Sequence, residues 1–199
     1  MRVESSPSRA RACILAGGAG RRLGGAKATV PLAGRPLISY PLAAVAQAGL
    51  DPVVVAKPDM PLPGLHAEVW LEPAEPRHPL CGIVEALRRA SSPILILGCD
   101  MPFVTGELLR WLSSLDAGLA VANAAGRPQP MLARYSPELI DELSAGLEAQ
   151  ARVTAVVADL GPRWVTEAEL AQFGDPALMT WSVNTPADLS RAERLLAAD

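Results

Sequence analysis

The residues with the most chemical promise are a lysine, an aspartate and an asparagine, far apart in the chain. Lys27 closes a loop that holds five glycines, Gly17, Gly18, Gly20, Gly24 and Gly25, together with Arg21 and Arg22. Glycine lacks a Cβ, so such a loop can turn its amides toward a ligand, and successive amides form concavities that hold anions, phosphate above all. Asp100 follows the most apolar run of the chain, residues 94–97, by way of Gly98 and Cys99. Mg2+ takes oxygen donors from one or two carboxylates and completes its shell with substrate phosphate, so a carboxylate beside a phosphate loop suits it. An Asp two residues before Pro102 can equally cap a turn, and Asn184 ahead of Thr185 and Pro186 can equally be a plain turn residue.

Charge and composition agree with an anionic ligand. No Asp or Glu occurs between Ser5 and Leu50, where six basic residues lie: Arg9, Arg11, Arg21, Arg22, Lys27 and Arg35. Removing that +6 from the total of −3, with residues 1–4 neutral, leaves −9 for residues 51–199. A basic segment on an acidic chain points to a small anion bound locally and away from a nucleic-acid surface. The chain has two lysines, Lys27 and Lys57, against sixteen arginines. A compact ammonium at the end of a glycine loop hints at a specific job.

Two familiar phosphate loops fail here. The dinucleotide fingerprint G-x-G-x-x-G starts at Gly18 and Gly20, but position 23 is Leu, and no acid follows about 20 residues on. The Walker A spacing fits Gly20 and Gly25, but Lys27 comes one residue late, before Ala28.

A third pattern holds. Leu15, Ala16, Gly17, Gly18, Arg22, Gly24 and Lys27 spell Leu-Ala-Gly-Gly-x-x-x-Arg-x-Gly-x-x-Lys. This resembles the signature of nucleotidyltransferases with a Rossmann-like α/β fold, and within them that of the MobA-like molybdenum cofactor guanylyltransferase family. The resemblance recurs in family order: Val30-Pro31-Leu32-Ala33-Gly34-Arg35-Pro36-Leu37, His78-Pro79-Leu80-Cys81-Gly82, Cys99-Asp100-Met101-Pro102, Arg127-Pro128-Gln129-Pro130-Met131 and Val183-Asn184-Thr185-Pro186. Each match alone is weak; the ordered set is strong.

The resemblance implies a fold like that of the nucleotide-diphospho-sugar transferases. It implies a Mg2+-dependent enzyme that moves GMP from GTP to the phosphate of molybdopterin cofactor and releases pyrophosphate. Lys27 and Arg22 then contact the triphosphate, and Asp100 holds the metal. Asn184 lies near the metal or the acceptor phosphate, and the backbone of Leu15, Ala16, Gly17 and Gly18 holds the nucleotide. Glu72 stands where the family has an Asp after its third strand. His78, in place of a family Gly, reads as structural. An acceptor pocket is expected around residues 100–135 and 180–186, with Arg127 and Arg134 as anion contacts. Three positions depart from the family: Ala26 for Asp before the lysine, Ser182 for the first Asn of the last motif, and Ala56 where an Asn often lies near the base. The last leaves the base open, so a cytidylyltransferase, or another NTP transferase acting on a sugar or metabolite phosphate, stays in play. So does a non-catalytic nucleotide-binding regulator.

These residues need elements to position them. Short apolar runs at 12–15, 53–56, 69–71 and 94–97 read as buried strands. Helices are expected at 36–48, with Pro41 a possible kink, at 80–90, at 105–115 behind a Thr105 cap, after Ser136 and Pro137, and from Thr185 onward. Residues 119–122 and 131–135 flank a turn-rich connector at 123–130. Residues 153–160 read as helix or strand, and 164–165 as a short strand. The alternation predicts a single α/β domain, a mostly parallel sheet with helices on both faces. Residues 1–10 read as a flexible leader and 11–199 as the domain.

At 199 residues, half of them hydrophobic, the chain can bury a sizeable core. No apolar run reaches the ~20 residues needed to span a bilayer, and no signal-like segment opens it. The expected setting is therefore cytoplasmic, without membrane or nucleic-acid partners, and a monomer is favoured. Cys13, Cys81 and Cys99 form no zinc spacing and read as buried thiols.

Overall fold

Alternation along the first strand, β1 (Arg11–Leu15), sets the two faces of the sheet. Ala12 and Ile14 point into one core and Cys13 into the other, all fully buried. The structure, a computed structural model, describes residues 10–18 and 20–198, the side chain of Arg21 excepted. All of the expected leader except Ala10 lies outside the described residues, and the Ala10 carbonyl accepts from Asp51 N at 3.0 Å.

After β1 come a two-stranded ribbon, β2 (Pro31–Leu32) and β3 (Arg35–Pro36), then helix α1 (Ser39–Ala48), β4 (Asp51–Ala56) and β5 (Glu68–Leu71). Next are α2 (Pro79–Arg89), β6 (Ile94–Gly98), α3 (Gly106–Ser113), β7 (Leu119–Ala124) and β8 (Arg127–Tyr135). The chain ends with α4 (Ile140–Glu148), α5 (Val153–Asp159), β9 (Arg163–Val165), the short α6 (Glu167–Leu170) and α7 (Pro176–Met179), and α8 (Pro186–Leu196).

The main sheet has seven strands in the order β5-β4-β1-β6-β8-β7-β9. β5, β4, β1 and β6 run parallel, and β8 is antiparallel to both of its neighbours. One core packs α1 and α3 through Ala44, Val45, Leu108, Leu109 and Leu112 against Ile14, Val54 and Leu97. The other packs α2, α4 and α5 through Leu80, Ile83, Leu87, Leu143 and Val157 against Cys13, Val55 and Ile96. Helices thus cover both faces, and the mostly parallel α/β expectation holds. Among the described residues no helix is long and apolar enough to cross a membrane.

Two local expectations change and one open reading is decided. Helix α1 starts at Ser39 because residues 35–36 pair in the ribbon. Pro41 then falls in the first turn, where an N–H has no intrahelical partner to lose, so no kink is forced. The connector at 123–130 is mostly strand. β7 and β8 run through it and turn on Ala125 and Gly126 alone, both with positive φ (50° and 67°), as a two-residue primed turn requires. The ambiguous stretch 153–160 is helical. The three cysteines are free and buried, and burial pushes the Cys13 and Cys99 thiols far up.

Candidate active site

The parallel register lines up strand ends. Leu15 pairs with Val55 on one side and Gly98 on the other, and Ala56 pairs with Leu71. The residues just past those ends therefore share one edge of the sheet, where open α/β sheets bind ligands. They are Ala16 and Gly17 after β1, Lys57 after β4, Glu72 after β5 and Asp100 after β6.

A pocket of about 400 Å³ opens there, lined among others by Leu15, Gly17, Gly18, Lys27, Lys57, Glu72, Arg77, His78, Gly82 and Asp100. Ala16 lies behind the wall: it is buried, and its amide donates to Val55 O at 2.7 Å. Arg22 is exposed and does not line the pocket; its charge acts on Asp188 instead.

Lys27 opens a single 3-10 turn, Lys27–Thr29, whose next residue, Ala28, is fully buried in the core under α1. That anchor fixes the backbone and aims the lysine inward. Its Nζ donates to Asp100 Oδ2 and to Asn184 Oδ1, each at 2.5 Å. Asp100 sits between buried Cys99 and Met101. Its carbonyl accepts from Val183 N at 2.9 Å, which ties the segment carrying Asn184 to the end of β6. Asn184 Nδ2 donates to Ser182 O at 3.0 Å, which turns Oδ1 toward the lysine. Its own N–H donates to Asp188 Oδ2 at 3.0 Å, the carboxylate of the α8 capping box with Thr185. Partial desolvation pushes Asp188 upward, but the hydrogen bonds from Asn184 and Thr185 outweigh it and hold the carboxyl below its ordinary value.

The other end of the pocket is a buried pair, of which the sequence pointed to Glu72 but not to its partner Lys57. Glu72 and Lys57 are 5% and 3% exposed, with Lys57 Nζ 3.8 Å from Glu72 Oε2. Gly17 is required beside them, because a Cβ there would stand 2.1 Å from Glu72 Oε1. The residue at the pocket end of β4 is Lys57, not Ala56, which is buried in the sheet. The one available signal was lysine scarcity: both lysines of the chain face this pocket.

His78 caps α2, its Nδ1 accepting from Leu80 N at 3.2 Å. A second cavity of about 470 Å³ is lined by Arg127, Gln129, Glu167, Trp181, Asn184 and Asp188, among others. Arg127 therefore lies in the expected acceptor region. Arg134 does not; its guanidinium donates to Ala117 O. Asn184 of the second cavity touches Lys27 of the first, so the two cavities adjoin across that contact.

Among the described residues no three His, Cys, Asp or Glu side chains converge on a metal position. The donor set that does converge is one carboxylate and one amide oxygen, Asp100 and Asn184, facing a single cation position now taken by Lys27 Nζ. Hard oxygen donors few in number fit Mg2+, which draws the rest of its shell from phosphates and water.

Comparison with known proteins gives the family. Residues 12–165 match the MobA-like NTP transferase domain. The chain is 35% identical to a molybdenum cofactor guanylyltransferase of Cereibacter sphaeroides, covering 94% of this chain and 96% of that one. It is 33% identical to one of Acidiphilium cryptum, over 96% and 97%. Among solved structures it resembles molybdopterin-guanine dinucleotide biosynthesis protein A of Archaeoglobus fulgidus, with a TM-score of 0.81 at 25% identity, covering 95% of this chain and all of that one. A glycine loop, a strand-end aspartate and a lysine brought to one sheet edge, in a chain with these relatives, make this protein a nucleotidyltransferase of the MobA-like NTP transferase family.

Proposed function

We propose that the protein transfers GMP from GTP to the terminal phosphate of molybdopterin cofactor and releases pyrophosphate. One observation carries the reading: Lys27, Asp100 and Asn184 meet at the seam between two cavities. The first is floored by Glu72 and walled by Gly17 and Gly18, which suits a nucleotide; the second holds Arg127, which suits an anionic acceptor.

An acceptor phosphate oxygen attacks the α-phosphorus in line, and pyrophosphate leaves. Positioning and charge stabilisation carry such a step, since the protein has no covalent work to do. The Lys27 ammonium neutralises charge that grows on the leaving oxygens. Gly17 and Gly18 line the pocket that receives the nucleotide, and the missing Cβ of Gly17 leaves room there for the Glu72 carboxylate. Asp100, with Asn184, would hold Mg2+, which supplies charge neutralisation and a template for the two reactants.

The test is a thermal-shift screen with the four NTPs, each with Mg2+, followed by pyrophosphate release in the presence of molybdopterin cofactor. At 100 times its Kd a ligand stabilises by about 2.7 kcal/mol. GTP alone is expected to give that shift. Selective stabilisation by CTP would overturn the guanylyl reading, and no response to any NTP would leave a fold without the chemistry.

A further inference from the structure

Lys27 holds a seat that its own part in the reaction requires it to leave. Nζ donates at 2.5 Å to Asp100 Oδ2 and to Asn184 Oδ1, the two oxygens that would hold Mg2+. The same ammonium is needed on the phosphate oxygens of the nucleotide. A divalent ion cannot share those two oxygens with an ammonium, because the lone pairs are taken and the like charges repel strongly at such range. The seat is rigid. A Cβ on Gly98 would stand 2.6 Å from Asp100 Oδ1, so the carboxylate lies against the end of β6. The Asp100 carbonyl is tied to Val183 N, and Asn184 is tied to Ser182 O and Asp188. The occupant is not rigid. Apart from its two contacts in the seat, Lys27 is anchored through its backbone, by the buried Ala28 that follows it. Its stem runs beside the glycine loop: Cβ atoms on Gly18 and Gly20 would lie 3.9 Å from Cδ and 3.1 Å from Cγ. A lysine ammonium is a point charge on a flexible four-carbon stem, so rotation of that stem swings Nζ from Asp100 to the loop while the backbone stays in place.

We propose that Lys27 is a gate that orders ligand binding: its ammonium holds the cation seat on Asp100 and Asn184, and a divalent ion gains that seat only once a triphosphate on the glycine loop has drawn Nζ away. The inference rests on the reading of this pocket as an NTP site. Charge balance points the same way. Among the described residues Lys27 is the one ion-pair partner of Asp100, so the single negative charge of the seat is already neutralised and offers a divalent ion little attraction. A triphosphate brings several negative charges to the loop and outcompetes a lone carboxylate for the ammonium. Once Nζ has moved, Asp100 regains its charge beside the bound phosphates, and the seat then suits a divalent ion. Metal alone therefore binds poorly, nucleotide binds without metal, and the metal enters with the nucleotide or after it.

The experiment titrates the full chain with Mn2+, which takes the same oxygen donors as Mg2+, and reads the free ion from its electron paramagnetic resonance signal. With Mn2+ alone, Lys27→Met is expected to bind the ion about tenfold or more tighter than wild type, since it lacks the competing charge. Adding Asp100→Asn to that variant is expected to abolish the gain. The chain has two lysines, so the side-chain 15Nζ spectrum of wild type holds two signals, and Lys27→Met identifies them. GTP without metal is expected to shift the Lys27 signal. Mn2+ alone is expected to leave that signal sharp, and Mn2+ with GTP to broaden it. Equal Mn2+ affinity in wild type and Lys27→Met overturns the proposal, and so does a gain that survives Asp100→Asn. Broadening of the Lys27 signal by Mn2+ alone overturns it as well. Should Lys27→Met not fold, the wild-type spectra decide, with Lys57→Arg identifying the signals. A wild type that binds no GTP refutes the proposed function, while Mn2+ alone still decides whether Lys27 holds the seat. GTP that binds and leaves the Lys27 signal unmoved refutes only this inference.

Discussion

Lys27 and Asp100 meet at 2.5 Å with side chains 20% and 13% exposed, whereas Lys57 and Glu72 stand 3.8 Å apart at 3% and 5%. The residue chemistry is nearly the same, one ammonium and one carboxylate in a single pocket. The first pair lies where solvent and ligands reach it, so its partners can exchange an internal contact for a phosphate oxygen or a cation. The second is anchored by two backbone carbonyls and closed in by glycines. Exposure separates the two: an accessible pair can be rearranged at little cost, while a desolvated one strongly resists losing either member. The accessible pair is placed for chemistry and the buried pair for shape.

The largest expected effect breaks the comparison from the catalytic side. Asp100→Ala removes the strand-end carboxylate and leaves Lys27 with Asn184 alone, and pyrophosphate release should fall by about 10²–10³-fold, in line with the loss of a main electrostatic contact in a transition state. The melting temperature should stay within a few degrees of wild type, because the pair is accessible. Wild-type turnover in this variant would remove Asp100 from the mechanism.

A middle-sized effect comes from the buried side. Gly17→Ala places a Cβ 2.1 Å from Glu72 Oε1 and 3.6 Å from Lys57 Cγ. The carboxylate, pinned by its surroundings, must move. The variant should lose about 1–3 kcal/mol of stability through overpacking and raise the Kd for nucleotide, while maximal turnover changes less. Urea melts and nucleotide titrations read the two quantities separately. A turnover loss without an affinity loss would mean that the glycine serves the open pair.

The smallest effect sharpens the boundary of the open site. Asp188 accepts from the N–H groups of Asn184 and Thr185, so Asp188→Ala should cost about 1 kcal/mol as a lost helix cap and lower turnover modestly by loosening Asn184. Because hydrogen bonds hold the folded-state pKa of Asp188 below its ordinary 3.8, its contribution is present above that value and is lost as pH falls through the folded-state pKa. The stability difference between wild type and the variant should therefore be constant from pH 5 to 8 and shrink below pH 4. A difference that grew on acidification would contradict the cap.

Much of the architecture was readable because strands and helices carry local signals. The run at 94–97 is apolar without interruption, as a strand buried on both faces must be. Thr185, Pro186 and Asp188 mark a helix start by cap chemistry alone, and the capping box is there. The hairpin of β7 and β8 was less legible, since its prolines and glycine read as a loop. Edge and pairing partners decide such a stretch, and they lie outside it in sequence. The same holds for Arg22 and Arg134, whose types fit an anion site; only the packing shows that one points to solvent beside Asp188 and the other into the Ala117 carbonyl.

By itself the sequence determined that a glycine loop, a lysine and a strand-end aspartate exist in an α/β chain, because glycine spacing and apolar runs are properties of neighbouring residues. It also fixed a lysine so rare that its two positions were worth watching. Only the tertiary structure decided that the ends of β1, β4, β5 and β6 share one edge, that Asn184 reaches Lys27 across 157 residues, and that Lys57 and Glu72 form the pocket floor. Those contacts come from strand register and helix packing, and no residue type carries a record of the distant partner it will meet.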